Sequence, residues 1–277
     1  MIRKSSNKQA PSPVVSFSAQ GSLGSRGGPW VRTMPGVVVL ESMWNKKGRL
    51  LDDEPSVLPY LKAIRQSLAW EGIRVNLVYR RFYSSYDLGL LLEEVRRRRR
   101  SFQVCYIASH GQRRKLVGIG EKVIRLEKLV DHCRPSTGIG YIFGACDFVT
   151  PDTAQNFLLA TGARFVAGYQ KAIPWTESML VDCLFLSYLL GGTMKWVRTK
   201  HGERMPPLRA LEDFEITRSE NPQKVAGQLY RDFPLAHDIT FSCFTLDRGQ
   251  GRKPTIENSF DIFRRNVDRA RRVVRDL

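Results

Sequence analysis

An α/β fold with helices on both faces of a mainly parallel sheet is the class the sequence predicts, and three observations predict it. Runs such as Val104-Cys105-Tyr106-Ile107-Ala108 and Ile139-Gly140-Tyr141-Ile142-Phe143 are apolar without alternation, as strands buried on both faces of a parallel sheet are. Segments of helical periodicity separate them. At 277 residues and 42% hydrophobic content, the chain is long enough to bury such a sheet. Connections between its parallel strands are expected to be right-handed crossovers.

Residues 1–34 contain no Asp or Glu, are rich in Ser, Gly, Pro and basic residues, and show no periodicity, which predicts a disordered basic tail. A transit peptide or an overextended start are the competing readings, the first weakened by the lack of an amphipathic Arg helix. Order is expected from Gly36, with Val37–Leu40 as a buried strand ended by Glu41. Pro55 suits a helix start; Leu58, Leu61, Ile64 and Leu68 repeat at helical spacing up to Trp70, and Gly72 closes the helix. Ile73–Tyr79 reads as a second strand. Leu88, Leu91, Leu92 and Val95 mark a second amphipathic helix with Asp87 as its cap. The third strand, Phe102–Ser109, delivers His110-Gly111; a basic loop (Gln112–Lys115) and a short crossover element (Glu121–Cys133) follow.

The fourth strand, Gly140–Gly144, delivers Cys146. Asp152 or Thr153 caps a helix over Ala154–Thr161, Gly162 ends it, and Arg164–Gly168 is the fifth strand. The helix Thr176–Leu190 is almost entirely apolar and expected to be buried, with Cys183 as a small core residue. Residues 35–250 thus form the main domain, with 199–224 as an exposed insertion and Ile239–Leu246 as a strand at a sheet edge. In 251–277, Ile256, Phe260, Phe263, Val267, Ala270, Val274 and Leu277 make an apolar seam opposite Arg264, Arg265, Arg271 and Arg272. That segment reads as a basic amphipathic helix packed on its own domain or on a partner.

The 44 Lys+Arg against 27 Asp+Glu give a net charge of +17, which favours an acidic partner. Arg96–Arg100 are five consecutive arginines, either a solvated helix end favoured by the C-terminal dipole or a docking patch for an acidic partner. Five cysteines, scattered and without CxxC spacing, argue against a disulfide framework and a structural zinc site, and a reducing compartment fits them best. No run approaches the roughly 18 apolar residues of a membrane span, so a cytoplasmic location without a transmembrane segment is expected. There is no GxxxxGK[ST], and Gly118-Ile119-Gly120 is not a dinucleotide fingerprint.

The chemistry collects at two strand ends. His110 and Cys146 lie 36 residues apart, each closing a buried run and each flanked by glycine. A lone buried cysteine is ordinarily inert packing, and a lone histidine ordinarily a satisfied group; joint placement at one rim is what singles out this pair. A thiolate is a nucleophile, and an imidazole beside it takes the proton and returns it to the leaving group. The amides of Cys146 and of Gly111, which has no side chain to block approach, are the oxyanion donors. Asp147 adjoins the cysteine as a support for His110 or for substrate. His132, His201 and His237 lie in less regular contexts. Proteolysis by this route needs no metal and no organic cofactor.

The order strand–His–Gly, helix, strand–Ala–Cys–Asp, helix, then TGARFVAG resembles the caspase-like cysteine peptidases of clan CD, closest to the bacterial CHAT-domain branch. The resemblance covers roughly 37–192 and is concentrated in YIASHG, GACDF and TGARFVAG. It implies a caspase-hemoglobinase three-layer α/β/α sandwich, with His110 as base, Cys146 as nucleophile and Gly111 with Cys146 as oxyanion donors. Two features depart from the caspase pattern: the residues around the cysteine are Gly144-Ala145-Cys146-Asp147-Phe148, and the His-to-Cys spacing is shorter than the roughly 50 residues of caspases.

In this family the loop after the fifth strand shapes the substrate pocket; Lys171 would favour an acidic side chain there and Trp175 an apolar or long one, whereas Glu41, Asp52 and Asp53 would favour Arg or Lys. The expectation is a cysteine endopeptidase that cuts a protein or peptide substrate through an acyl-enzyme. It further implies regulated use in bacterial defence or cell death, an activating protein partner, and 199–224 as a processing site. The alternative is a catalytically inactive caspase-like module that binds an acidic partner through Arg96–Arg100 and the terminal helix. A nucleic acid partner ranks last, because no base-reading motif accompanies the charge.

Overall fold

Buried apolar runs resolve into strands because successive side chains part to opposite faces of a sheet, and both faces here are covered. The computed structural model describes residues 36–44, 55–118, 122–191, 193–196, 214–217, 221–247 and 254–275, all within the unit Met34–Leu277. The expected tail 1–34, Asp52, Asp53, His201 and most of the expected insertion lie outside these residues.

In chain order the elements are β1 (Gly36–Ser42), α1 (Leu58–Trp70), β2 (Asn76–Phe82), α2 (Ser85–Arg97), β3 (Val104–Ala108), β4 (His110–Gln112), β5 (Lys115–Val117), β6 (Val123–Ile124) and α3 (Leu126–Cys133). Then come β7 (Gly140–Gly144), α4 (Pro151–Thr161), β8 (Phe165–Tyr169), α5 (Trp175–Gly191), β9 (Thr193–Trp196), β10 (Phe214–Thr217), α6 (Pro222–Asp232), α7 (Leu235–Asp238), β11 (Phe241–Asp247), β12 (Thr255–Asn258) and α8 (Ser259–Arg275). The central sheet has seven strands in the order β12-β11-β8-β7-β3-β1-β2. From β2 to β8 every pairing is parallel, and β11 and β12 add antiparallel strands at one side. A three-layer α/β/α sandwich with a mainly parallel sheet is thus the observed architecture.

Alternate residues of each run feed two cores. Val38, Leu40, Cys105, Ile107, Tyr141 and Phe143 pack with α2, α3 and α4 on one face; Val37, Val39, Val104, Tyr106, Ile142 and Ala167 pack with α1, α5, α6 and the start of α8 on the other. Each fully buried Val, Leu, Ile or Phe contributes about 1.5–3 kcal/mol of transfer free energy, which sets the register of the strands without any help from local alternation.

Several boundaries differ from expectation for local reasons. The second strand runs over Asn76–Phe82 rather than 73–79, because it pairs in register with β1 from Gly36↔Asn76 onward. Ser84 caps α2 by accepting from the Asp87 amide at 3.1 Å, while the Asp87 carboxylate accepts from Tyr83 N–H at 3.2 Å, so the expected cap residue acts one turn inside the helix. Thr150, not Asp152 or Thr153, is the N-cap of α4, in a reciprocal box with Thr153. The strand expected at a sheet edge, β11, is covered by β12, and Thr255–Asn258 is strand rather than helix. Phe260 and Phe263 of α8 lie against the α6 side of the core, so the start of this helix packs on its own domain. No described helix is long and apolar enough to cross a membrane.

Candidate active site

Four parallel strands end at one rim: β1 runs on to Trp44, β3 to His110, β7 to Cys146 and β8 to the loop that carries Lys171 and reaches Trp175. The chain passes from β1 out to β2 and back across to β3, so β1 and β3 flank a topological switch point, where open α/β sheets hold their ligands. His110 and Cys146 therefore reach a shared edge from adjacent strands.

Gly111 fixes how closely they approach. A Cβ built there would lie 1.8 Å from the carbonyl oxygen of Cys146 and 2.7 Å from its nitrogen, so only glycine lets β4 rest on the cysteine's backbone. The Cys146 amide has no acceptor among the described residues, which leaves it available to an anion. The half-buried thiol donates to the Ile173 carbonyl at 3.5 Å, facing the loop after β8.

His110 is oriented by a backbone group. Its Nε2 lies 2.6 Å from the carbonyl oxygen of Trp44, and since a carbonyl only accepts, Nε2 carries a proton, which in the neutral ring makes Nδ1 the accepting nitrogen. The Trp44 ring meets the imidazole edge-on at 5.3 Å, and Trp175 meets Trp44 at 6.3 Å and Tyr60 at 5.5 Å. The loop that carries Trp44 is held by Glu41, a fully buried carboxylate. Glu41 accepts from Trp44 Nε1 at 2.7 Å, Val57 N–H at 2.8 Å, Ser56 Oγ at 2.7 Å and Tyr79 OH at 2.6 Å. Burial and then this carboxylate push the Tyr79 hydroxyl's pKa up. The sequence reading offered Glu41 as a selectivity charge at the rim; with no exposure and four donors it is a loop anchor instead.

Asp147 also has a different job from orienting His110. Its carboxylate accepts from Arg113 N–H at 3.0 Å, its carbonyl accepts from Arg114 N–H at 2.9 Å, and its own N–H donates to the Lys171 carbonyl at 3.0 Å. Arg113 and Arg114 have φ of 49° and 64°, the two positive values of a type I′ hairpin turn between β4 and β5. Neither is Gly or Asn, and Asp147, itself at φ 49°, supplies the bonds that hold this costly turn. The basic loop expected at 112–115 is thus a hairpin fastened to the cysteine loop. Lys171 is exposed at the rim, while Trp175 is half-buried in the aromatic group beside His110.

Beneath the rim lies a group that sequence reasoning missed. Asp182 of α5, fully buried, accepts from Tyr106 OH at 2.7 Å and lies 2.7 Å from Tyr169 OH, whose single proton is shared between this carboxyl and the Ser178 carbonyl at 2.8 Å. Burial raises the Asp182 carboxyl to about 7 against the lowering effect of its hydrogen bonds. The same desolvation, then the Asp182 charge, raises both tyrosines. A Cβ at Gly144 would come within 2.4 Å of Tyr106 OH, so the small residue before Cys146 makes room for this cluster. One acid in the apolar run LVDCLFL was the available signal. Cys183 beside it is half-buried, with burial pushing its thiol up to about 12, as suits a packing residue. His132 pairs at 3.8 Å with Glu93 on α2, and His237 stacks on Phe260 at 4.7 Å; neither reaches the rim.

No protein-family profile matches the chain, and no curated protein matches it in sequence. Among solved structures, the Drosophila initiator caspase Dronc is similar over 58% of this chain, at 13% identity and a TM-score of 0.37. The chain spans 66% of that structure, just short of two thirds of its length.

Proposed function

We propose that the chain is a cysteine endopeptidase of caspase-like type, with Cys146 as nucleophile and His110 as general base. The observation that supports the reading is the contact of Gly111 on the Cys146 backbone, since it joins the residue next to His110 to the loop that bears the thiol, while His110 Nε2 is engaged by the Trp44 carbonyl. In the proposed cycle the thiol turns from the Ile173 carbonyl, gives its proton to Nδ1 and forms the S–C bond to the scissile carbonyl. The amides of Cys146 and Gly111 receive the oxyanion. Its collapse breaks the C–N bond, and His110 passes the proton to the departing amine. Water then loses a proton to Nδ1 as it attacks the thioester; the S–C bond breaks, the carboxyl product leaves, and His110 returns the proton to the Cys146 thiolate. The Trp44 carbonyl supports the imidazolium through Nε2 at each stage. A positioned base is worth about 10²–10⁴-fold and an oxyanion donor about 10²–10³-fold, so each of these groups would make a large contribution to peptide hydrolysis.

Lys171 and Trp175 line the substrate side in this reading, Lys171 for an acidic residue and Trp175 for an apolar or long one. Asp147 serves substrate binding only indirectly, through the loop it ties to Lys171. The thiol's resting bond to Ile173 is consistent with regulated use, in which a partner or a cut within 199–224 shifts the loop after β8. Kinship with the CHAT branch, a place in bacterial defence and a cytoplasmic setting belong to the same proposal. A peptide-library cleavage screen tests it, with Cys146→Ala as control: cuts made by the wild type and not by the variant are expected. No Cys146-dependent cut in any sequence context, with or without limited proteolysis within 199–224, would refute it. That outcome would favour the inactive module, which the thiol's engagement with Ile173 also fits.

A further inference from the structure

The five arginines that the proposed chemistry does not use surround a concavity. Arg96 and Arg97 end α2, Arg98–Arg100 form the turn after it, and together with Ser101 and Pro135 they line a cavity of about 680 Å³. We propose that this cradle binds a compact anion carrying several phosphate groups.

The charge exceeds what local structure needs. A helix C-terminus offers about half a negative charge, which one or two cations answer. Two carboxylates border the cluster, Glu93 at 3.6 Å from Arg97 and Glu94 at 3.9 Å from Arg98, both solvent-exposed pairs of little strength. Five guanidiniums against two carboxylates leave an excess of three positive charges on one short stretch. Arg98 also lies over the Phe102 ring at 5.6 Å. Arg99 and Arg100 are exposed, and their guanidinium groups have no acceptor among the described residues. Arg96 gives Nη1 to the Arg134 carbonyl at 3.2 Å, which holds this arginine at the cavity, while its Nε is buried without an acceptor.

The shape chooses the ligand class. A cavity of about 680 Å³ falls in the range of small-molecule sites, roughly 300–1,000 Å³, and its lining lies within one short stretch plus Pro135, compact where a nucleic acid track would be long. Its one aromatic neighbour, Phe102, is 2% exposed and offers no base a stacking surface. Guanidinium forks match phosphate oxygens in pairs, and a multiply charged phosphate answers several forks at once where a carboxylate answers one.

The site is distinct from the candidate active site, since it sits where the parallel strands begin. Gly36 rests on the Ser101 carbonyl, and Gln103 joins the starts of β1 and β7 by accepting from Gly140 N–H at 2.9 Å and donating to the Gly36 carbonyl at 2.8 Å. An anion held at Arg96–Arg100 therefore stabilises the strand origins against unfolding.

The test is a calorimetric titration of the full chain with inorganic tripolyphosphate at fixed salt, paired with a thermal melt. Saturable one-site binding is expected, with a melting rise of about 5 °C or more at a hundred times the dissociation constant. Arg99→Ala/Arg100→Ala should weaken binding about 30-fold or more, and Arg99→Lys/Arg100→Lys several-fold, because charge remains but the forks are lost. Arg264→Ala/Arg265→Ala, an exposed arginine pair on α8, should change it less than about twofold. All four substituted positions are exposed, so the variants keep the fold. Absence of saturable binding overturns the proposal, as do equal losses in the two alanine pairs. A DNA duplex or polyglutamate peptide bound more tightly than tripolyphosphate through Arg99 and Arg100 also overturns it.

Discussion

Glu41 offers the sharpest test of how the rim is built, because it touches no reacting atom yet holds the loop whose carbonyl orients His110. Its Oε1 accepts from Trp44 Nε1 and Val57 N–H, and its Oε2 from Ser56 Oγ and Tyr79 OH. Removing the carboxylate with Glu41→Ala strands the amide of Val57, a residue with 0% exposure, at about 1–3 kcal/mol, and the emptied volume and lost charged bonds add a similar amount. A total of about 3–5 kcal/mol is expected in urea unfolding. Glu41→Gln is milder for a specific reason. The amide oxygen can face Trp44 and Val57 while its NH2 donates to the two hydroxyls, which are free to turn, so about 1 kcal/mol is expected.

The functional consequence separates positioning from packing. If Trp44 moves about 1 Å when Glu41→Ala loosens its loop, kcat on a cleaved peptide should fall about 100-fold with KM little changed, measured where the variant is still folded. Glu41→Gln should remain within about tenfold of the wild type. A folded Glu41→Ala protein with undiminished kcat would refute the chain from Glu41 through Trp44 to His110.

Asp182 sets a pH dependence of stability. Its folded value of about 7 lies above the ordinary 3.8, so the folded state binds the proton more tightly; the contribution is full below about pH 4 and is lost as pH rises to about 7. Over that window the wild type should lose about 2–4 kcal/mol relative to Asp182→Asn; parallel stability curves for the two proteins would contradict the assignment. Gly111→Ala puts a methyl 1.8 Å from a backbone oxygen that cannot swing aside, so a stability loss of about 1–3 kcal/mol and an activity loss of about 100-fold are expected, and an unimpaired variant would mean that β4 does not rest on Cys146.

What the sequence disclosed follows from what each feature requires. Strands buried on both faces need continuous apolar runs, so β1, β3, β7 and β8 were legible, and with them the position of His110 and Cys146 just past two strand ends. The β4–β5 hairpin was not, because its type I′ turn uses Arg113-Arg114 where Asn-Gly is usual and leans on Asp147 from a distant loop. Trp44 was invisible as a partner of His110 because it meets the imidazole through its carbonyl, which every residue has. Glu41 was read by its charge alone, and its burial depends on Val57 and Tyr79, brought in by α1's start and β2. The edge strand β12 hid within a helical-looking seam because Ile256 falls in phase with Phe260 and Phe263.

The central claim is that the Cys146 sulfur and the His110 imidazole act on each other. Intact-mass spectrometry of the chain with a peptidyl acyloxymethyl ketone measures this directly, as the rate of adduct formation on Cys146. The account predicts a single adduct, absent in Cys146→Ala, slowed about 100-fold or more in His110→Ala, and unchanged in His132→Ala and His237→Ala. Equal rates in the wild type and His110→Ala would contradict it.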